Sequence, residues 1–276
     1  MKVVQAIAEM RELRKGTSGT VGFFPTLGYM HEGHVSLVKR ARNENETVIA
    51  SIYVNPTQFG PREDFKSYPR DVKRDLGLLE PFTDIVFMPT DKEMYPESYD
   101  SWVEVKGITE VLEGAIRPGH FRGVTTIVNK LFNIVEPTRA YFGQKDAQQV
   151  AVIKKMVKDL NMNVEIVVCA TVREQDGLAM SSRNTYLTPE QRRGSTVLYK
   201  SLLLAKELVV NGETDAGVLR QEMAYLIKKE PLAKIEFISV ADNETLKEIH
   251  RIKLPVLVSL AVKFGKTRLI DNIVLE

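Results

Sequence analysis

From residue 20 to about residue 175, short apolar runs alternate with segments whose apolar positions recur at helical spacing. Val21-Gly22-Phe23-Phe24 is an apolar run short enough for a buried strand, and a Gly/Pro loop separates it from a helix beginning near His34. In that helix Val35, Val38 and Ala41 share one side, with Lys39, Arg40 and Glu44 on the other. Residues 47–54 predict the next strand, 71–80 a charged helix and 84–87 a further strand. Residues 139–142 and 164–168 predict strands on either side of a helix over 146–160. Strands alternating with helices of this length imply parallel βαβ units and an α/β sheet. Ligands in such sheets bind beyond the carboxyl ends of the strands, so chemistry is expected after Phe24, Val54 and Phe142.

After Asn184 the texture changes. Thr188-Pro189-Glu190 reads as a helix start, with threonine at the cap and proline at the first position. One long helix is expected from there to about 211–212 and another over 216–229, followed by strands at 234–240, 256–262 and 267–270. A chain of 276 residues also exceeds the usual size of a single core. The reading is a Rossmann-like α/β domain with a parallel sheet, residues 1–177, and a smaller α+β domain, residues 178–276.

Composition narrows the function classes. With 43% hydrophobic and 27% charged residues, the chain has an ordinary soluble globular balance. A net charge of +2 is too mild to suggest nucleic acid as a partner, and Lys154-Lys155 and Arg192-Arg193 read as solvated helix faces. The single cysteine, Cys169, follows an apolar run and is expected to be a buried structural thiol. No run is long enough to span a bilayer, and the first residues lack the apolar core of a signal peptide, so no membrane partner and a cytoplasmic location are expected.

The loop after the first strand, Pro25-Thr26-Leu27-Gly28-Tyr29-Met30-His31-Glu32-Gly33-His34, holds two of the chain's four histidines. Its glycines permit a tight turn and close approach to a ligand. The helix that follows offers free N–H groups and a positive dipole end, both suited to phosphate. Imidazoles beside that phosphate can donate hydrogen bonds and offset developing charge. Capping or surface histidines are the bland alternative, and zinc held by His31, His34 and His120 is another. Gly33 argues against a helix at that point.

Gln58, after the second strand, carries a donor and an acceptor and can grip a hydroxyl and a carboxylate together, although such a side chain is often merely a solvated loop residue. Phe142-Gly143-Gln144-Lys145-Asp146-Ala147-Gln148-Gln149 leaves a strand and enters a helix. Asp146 suits a helix cap, Lys145 could meet a phosphate as a point charge, and Gln149 would follow about one turn along. Near the seam, Met180-Ser181-Ser182-Arg183-Asn184 offers two hydroxyls and a guanidinium that could wrap phosphate oxygens, or it is simply a polar linker. His120 and Arg122, in Arg117-Pro118-Gly119-His120-Phe121-Arg122-Gly123-Val124, are second-tier candidates at a helix entry.

The proline–threonine turn followed by His31-Glu32-Gly33-His34 resembles the nucleotidyltransferase superfamily, which shares adenylate-forming logic with class I aminoacyl-tRNA synthetases. The longer string, together with the motifs around Gln58, 143–149, 117–124, 180–184 and Arg268-Leu269-Ile270-Asp271-Asn272, resembles the pantothenate synthetase family over nearly the whole chain. Leu27 stands where that family usually has methionine, and Met30 where leucine is common; both swaps roughly conserve volume. The resemblance implies ATP contacts from Leu27, Gly28, Tyr29, Met30, His31, Glu32, Gly33 and His34. It adds Gly143, Gln144, Lys145 and Asp146, then Val172, Met180, Ser181, Ser182 and Arg183. It makes His34 a proton donor and gives pantoate to Gln58 and Gln149.

The catalytic set expected on these grounds is His34, His31, Lys145, Ser181, Ser182 and Arg183. The implied reaction joins pantoate to β-alanine through a pantoyl adenylate, with ATP as substrate, Mg²⁺ carried by the nucleotide and no protein metal ligands. A homodimer is implied as well. Three rivals stay open: a nucleotidyltransferase without a second acceptor, a non-catalytic nucleotide-binding module, and a metal hydrolase.

Overall fold

Phe23 and Phe24 are neighbours in one strand, 0% and 1% exposed, and they belong to different apolar clusters. Successive side chains on a strand point to opposite faces, so this sheet must be covered on both sides. The computed structural model describes residues 1–61 and 63–276. Its strands are β1 (Lys2–Val4), β2 (Val21–Thr26), β3 (Thr47–Ile52), β4 (Ile85–Phe87), β5 (Arg139–Gly143), β6 (Glu165–Cys169), β7 (Ala233–Asp242), β8 (Val256–Phe264) and β9 (Thr267–Leu275). The helices are α1 (Ile7–Lys15), α2 (Glu32–Glu44), α3 (Val72–Leu79), α4 (Asp91–Met94), α5 (Leu112–Ile116), α6 (His120–Val135), α7 (Ala147–Asp159), α8 (Pro189–Gly194), α9 (Val197–Val210) and α10 (Ala216–Lys228).

Two compact units result: Met1–Gly143 with Gln149–Ala170, and Gln144–Gln148 with Thr171–Glu276. In the first, six parallel strands run in the order β1-β4-β3-β2-β5-β6. Phe23, Ile49 and Phe87 cluster with Val124, Val128 and Leu131 of α6 on one face. Phe24, Ala50 and Val86 cluster with Val35, Val38 and Ala41 of α2 and Leu79 of α3 on the other. From β2 the order runs outward through β3 and β4 on one side and through β5 and β6 on the other. A reversal of this kind opens a crevice at the carboxyl ends of the strands flanking it.

The second unit is an antiparallel meander, β7-β8-β9, whose Val256, Val258, Leu260, Val262 and Phe264 alternate along β8 into a core shared with α9 and α10. The long helix expected after Thr188 is broken into α8 and α9. Ser195 Oγ donates to the Arg192 carbonyl at 2.8 Å and Thr196 Oγ1 to the Arg193 carbonyl at 3.0 Å, and hydroxyls bonded back in this way compete with the helical ladder. The sequence reading also passed over β1 and α1; β1 extends the sheet by pairing with β4. Cys169 is buried at the end of β6, and burial pushes its thiol up. Among the described residues no helix is long and apolar enough to cross a membrane.

Candidate active site

At the end of β2 the chain turns at once into α2. Gly28 makes that turn at φ +88°, where an added Cβ would lie 3.0 Å from Asp75 Oδ2 and 3.1 Å from Ile52 Cγ2. Tyr29 follows at φ +51°, a left-handed conformation that costs a non-glycine residue about 1–2 kcal/mol. What holds it there is Asp75, 1% exposed on α3, whose two oxygens accept the Tyr29 and Met30 N–H groups at 2.7 Å each. Met30 then buries its side chain completely. Asp75 lies 45 or more residues from the groups it binds, and no local pattern in the sequence marks it.

The helix begins earlier than expected. His31 is the cap, with extended backbone, and Glu32 and Gly33 are already helical. The His31 N–H donates to His34 Nδ1 at 3.3 Å, the part a glutamate plays in an ordinary capping box, and this early capping carries Gly33 into the first turn. Accepting that bond leaves the proton of a neutral His34 ring on Nε2, so the ring presents a donor. The two imidazoles lie 4.0 Å apart between centroids, both half-buried, with Glu32 exposed beside them.

Gln58 closes a short 3-10 turn, Pro56–Gln58, after β3, and is buried rather than solvated. Asn55, fully buried, organises it. Its Oδ1 accepts the Tyr95 hydroxyl at 2.8 Å and the Thr57 hydroxyl at 2.9 Å, while its Nδ2 donates to Gln58 Oε1 at 3.0 Å and to the Gly123 carbonyl at 3.2 Å. Burial pushes the Tyr95 phenol up to about 12, although the Thr57 hydrogen bond pulls the other way, so Tyr95 stays a donor at neutral pH. Asn55 was missed by the sequence reading, yet Asn-Pro-Thr is a turn-initiating string that could have pointed to it. Gly123 allows α6 to approach this turn: a Cβ there would meet the Thr57 carbonyl oxygen at 2.4 Å and Gln58 N at 2.6 Å.

Of the two second-tier residues, His120 is buried against the Gln58 carbonyl, whereas Arg122 is exposed and sits over the Trp102 ring at 4.8 Å. Gln149 is half-buried in the first turn of α7, and Gly143 ends β5.

In the second unit, Gln144, Lys145 and Asp146 form a 3-10 turn, and Asp146, expected as a helix cap, is the residue directly before α7. Asn272 of β9 holds it, donating to the carbonyls of Gln144 at 3.0 Å and Lys145 at 2.9 Å and accepting Gln144 Nε2 at 3.0 Å. The neighbouring Asp271 takes the Arg173 guanidinium on both oxygens, at 2.6 and 3.0 Å. Burial raises the Asp271 carboxyl even against that partner. Residues 172–180 close on themselves. Arg173 pairs with Ala179, and the Met180 N–H donates to the Val172 carbonyl at 3.0 Å, bringing together two expected ATP contacts eight residues apart. Ser181 caps the following turn, Ser182–Tyr186, by accepting the Arg183 N–H at 3.3 Å, and Ser182 is buried.

The zinc alternative lacks its ligands. His120 turns both ring nitrogens to protein partners, and among the described residues no group of three or more His, Cys, Asp or Glu side chains is placed to hold a metal ion.

Residues 2–274 match the family described as Pantoate-beta-alanine ligase. The chain belongs to that family. It is 58% identical over 280 residues to the pantothenate synthetase of Acetivibrio thermocellus and 54% identical over 280 residues to that of Fervidobacterium nodosum, covering 100% of both chains in each case. Among solved structures, pantothenate synthetase from Thermus thermophilus superposes with a TM-score of 0.95 at 45% identity, covering 99% of each chain. A pantoate–β-alanine ligase from Francisella tularensis, complexed with β,γ ATP and β-alanine, superposes with a TM-score of 0.81 at 35% identity, covering 99% of this chain and 97% of that one. A pantoate–β-alanine ligase thus has its histidine loop, its Gln58 turn and the start of the 144–149 segment after β2, β3 and β5, three neighbouring strands at the sheet's reversal point.

Proposed function

We propose that this chain condenses pantoate with β-alanine at the expense of Mg–ATP, by way of a pantoyl adenylate, releasing AMP and pyrophosphate. The observation that carries the reading is the His31–His34 pair, capped onto the N-terminus of α2 at the reversal point of the sheet. A helix start with free N–H groups and a ring whose Nε2 donates suits a nucleotide triphosphate.

In the first step a pantoate carboxylate oxygen attacks the α-phosphorus, and the bond to pyrophosphate breaks. Charge moves onto the leaving group, where His31, His34, Lys145, Ser181, Ser182 and Arg183 supply donors. The remaining nucleotide contacts fall to Leu27, Gly28, Tyr29, Met30, Glu32 and Gly33, to Gly143, Gln144 and Asp146, and to Val172 and Met180. Gln58 and Gln149 hold pantoate. In the second step the β-alanine nitrogen attacks the acyl carbon, the bond to AMP breaks, and the amine gives up a proton. No protein nucleophile enters either step. Residues 1–177 carry most of these contacts and residues 178–276 add the seryl and arginyl donors. Magnesium arrives with the triphosphate as part of the substrate. The reading includes a homodimer in the cytoplasm, the first part of which sedimentation of the purified protein would test.

AMP release with ATP, Mg²⁺ and pantoate, with and without β-alanine, is the deciding assay. Sustained release is expected only with both substrates. His34→Ala should lower adenylation by about 10²–10³-fold with the fold intact, and normal turnover in that variant would sink the assignment.

A further inference from the structure

His120 has no place in the mechanism above, yet both of its ring nitrogens are committed. Arg117 Nη1 lies 3.0 Å from His120 Nε2, and His120 Nδ1 lies 2.8 Å from the Gln58 carbonyl oxygen. A guanidinium has only donors, so Nε2 must accept and the ring proton sits on Nδ1, from which it is donated to Gln58. Arg117 is itself fixed by a two-pronged bond to Glu63, Nε to Oε1 at 2.6 Å and Nη2 to Oε2 at 2.7 Å. Arg117 therefore donates both ways, to Glu63 and to His120, and His120 in turn donates to Gln58.

The side chain of Gln58 is oriented just as firmly. Asn55 Oδ1 collects the hydroxyls of Tyr95 and Thr57, which fixes the Asn55 amide with its nitrogen toward Gln58 Oε1. Gln58 is thereby left to offer its amide nitrogen, a donor matched to the carboxylate and hydroxyl oxygens of pantoate. We infer that His120 is a positioning residue for pantoate: with its tautomer set by Arg117 and Glu63, it fixes the backbone of Gln58 so that the glutamine amide meets the substrate as a donor. This rests on the reading of Gln58 as a pantoate contact.

The test is steady-state kinetics against pantoate and against ATP for the wild type, His120→Ala, His120→Asn and His120→Gln, with melting temperatures alongside. Removing the donor to a buried carbonyl should raise the KM for pantoate about tenfold in His120→Ala. The KM for ATP should stay within about twofold. Asparagine places an N–H where Nδ1–H was and should recover most of the loss; glutamine, which reaches toward the Nε2 position, should not. An unchanged pantoate KM in His120→Ala, equal behaviour of the asparagine and glutamine variants, or both KM values rising in step with a lowered melting temperature would each overturn the inference. Should His120→Ala fail to fold, the asparagine-against-glutamine comparison decides alone. Wild-type protein that makes no AMP from ATP and pantoate would instead overturn the parent reading; active wild type with an indistinguishable His120→Ala overturns only this one.

Discussion

The histidine loop and the Gln58 turn follow neighbouring strands of one sheet, yet they are held by opposite means. A single buried carboxylate, Asp75, grips two backbone N–H groups of the first. The second is tied by neutral amides and hydroxyls centred on Asn55. The difference follows from what each must do. Tyr29 has to be kept in a left-handed conformation that resists it, and charge-assisted bonds are roughly twice as strong as neutral ones. On the proposed reading of Gln58 as a pantoate contact, it has to be presented one way round, and a chain of directional neutral bonds settles orientation without placing a negative charge beside an anionic substrate. One device supplies force and the other polarity.

Breaking the carboxylate grip should have the largest effect. Asp75→Ala strands two N–H groups at a buried turn and is expected to cost about 3 kcal/mol of stability. On the proposed reading of this loop as the phosphate site, adenylation should fall with it, by about 100-fold, because the loop's donors lose their placement. Asp75→Asn keeps one acceptor but turns an N–H₂ toward the other amide, and should fall between wild type and alanine. Chemical denaturation with AMP formation checks both; an alanine variant of unchanged stability would mean that the loop holds itself.

For the neutral network the sharper change is Asn55→Asp. The aspartate can still accept from Tyr95 and Thr57, but it faces Gln58 Oε1 and the Gly123 carbonyl with an acceptor instead of a donor. The KM for pantoate should rise about thirtyfold, with a smaller change for ATP, measured by initial rates in each substrate. Equal effects on both substrates would contradict a division of labour between the two loops.

These two clamps also mark where the sequence was legible. Strand runs such as Val21-Gly22-Phe23-Phe24, and the glycine turn with its two histidines, carry local signals that survive without tertiary information. The strands β2, β3 and β5, after which chemistry was expected, could therefore be read from alternation. Asp75 could not, because its partners are 45 and 46 residues away and its helix has an ordinary charged texture. Asn272 stood inside a recognised string, but only the folded meander shows it gripping the turn at Lys145. The break at Ser195 and Thr196 was hidden for another reason: hydroxyls bonding back to the helix are a choice that helical spacing does not record.

The Lys145 turn extends the comparison to the second unit, since Asn272, like Asn55, holds its turn with a neutral amide, here mainly against backbone carbonyls. Asn272→Ala removes three hydrogen bonds at once from Gln144 and Lys145. Because the turn can take water in their place, the expected loss is modest, about a fivefold rise in the KM for ATP. A rise confined to pantoate would place Lys145 on the wrong substrate.

The smallest effect is a dependence on pH, and it separates the two clamps most finely. Nothing in Asn55 or Gln58 titrates, and Tyr95 is pushed by burial up to about 12, so these three groups keep their charge state in acid. Glu63 is the acidic end of the network. Burial acting alone would raise that carboxyl, but the hydrogen bonds and charge of Arg117, helped by the Gly60 backbone, leave it below the usual carboxylate range. A carboxyl lowered in this way stabilises the fold fully above its unfolded value of about 4.3, and that contribution is lost as the pH falls through the lower folded value. Glu63→Gln should therefore melt slightly below wild type at pH 7, and the gap should close as the pH is taken below about 4. Melting curves for the pair across that range are sufficient. If the gap persists unchanged into acid, Glu63 acts on Arg117 by shape rather than by charge, and the relay to His120 begins one residue later.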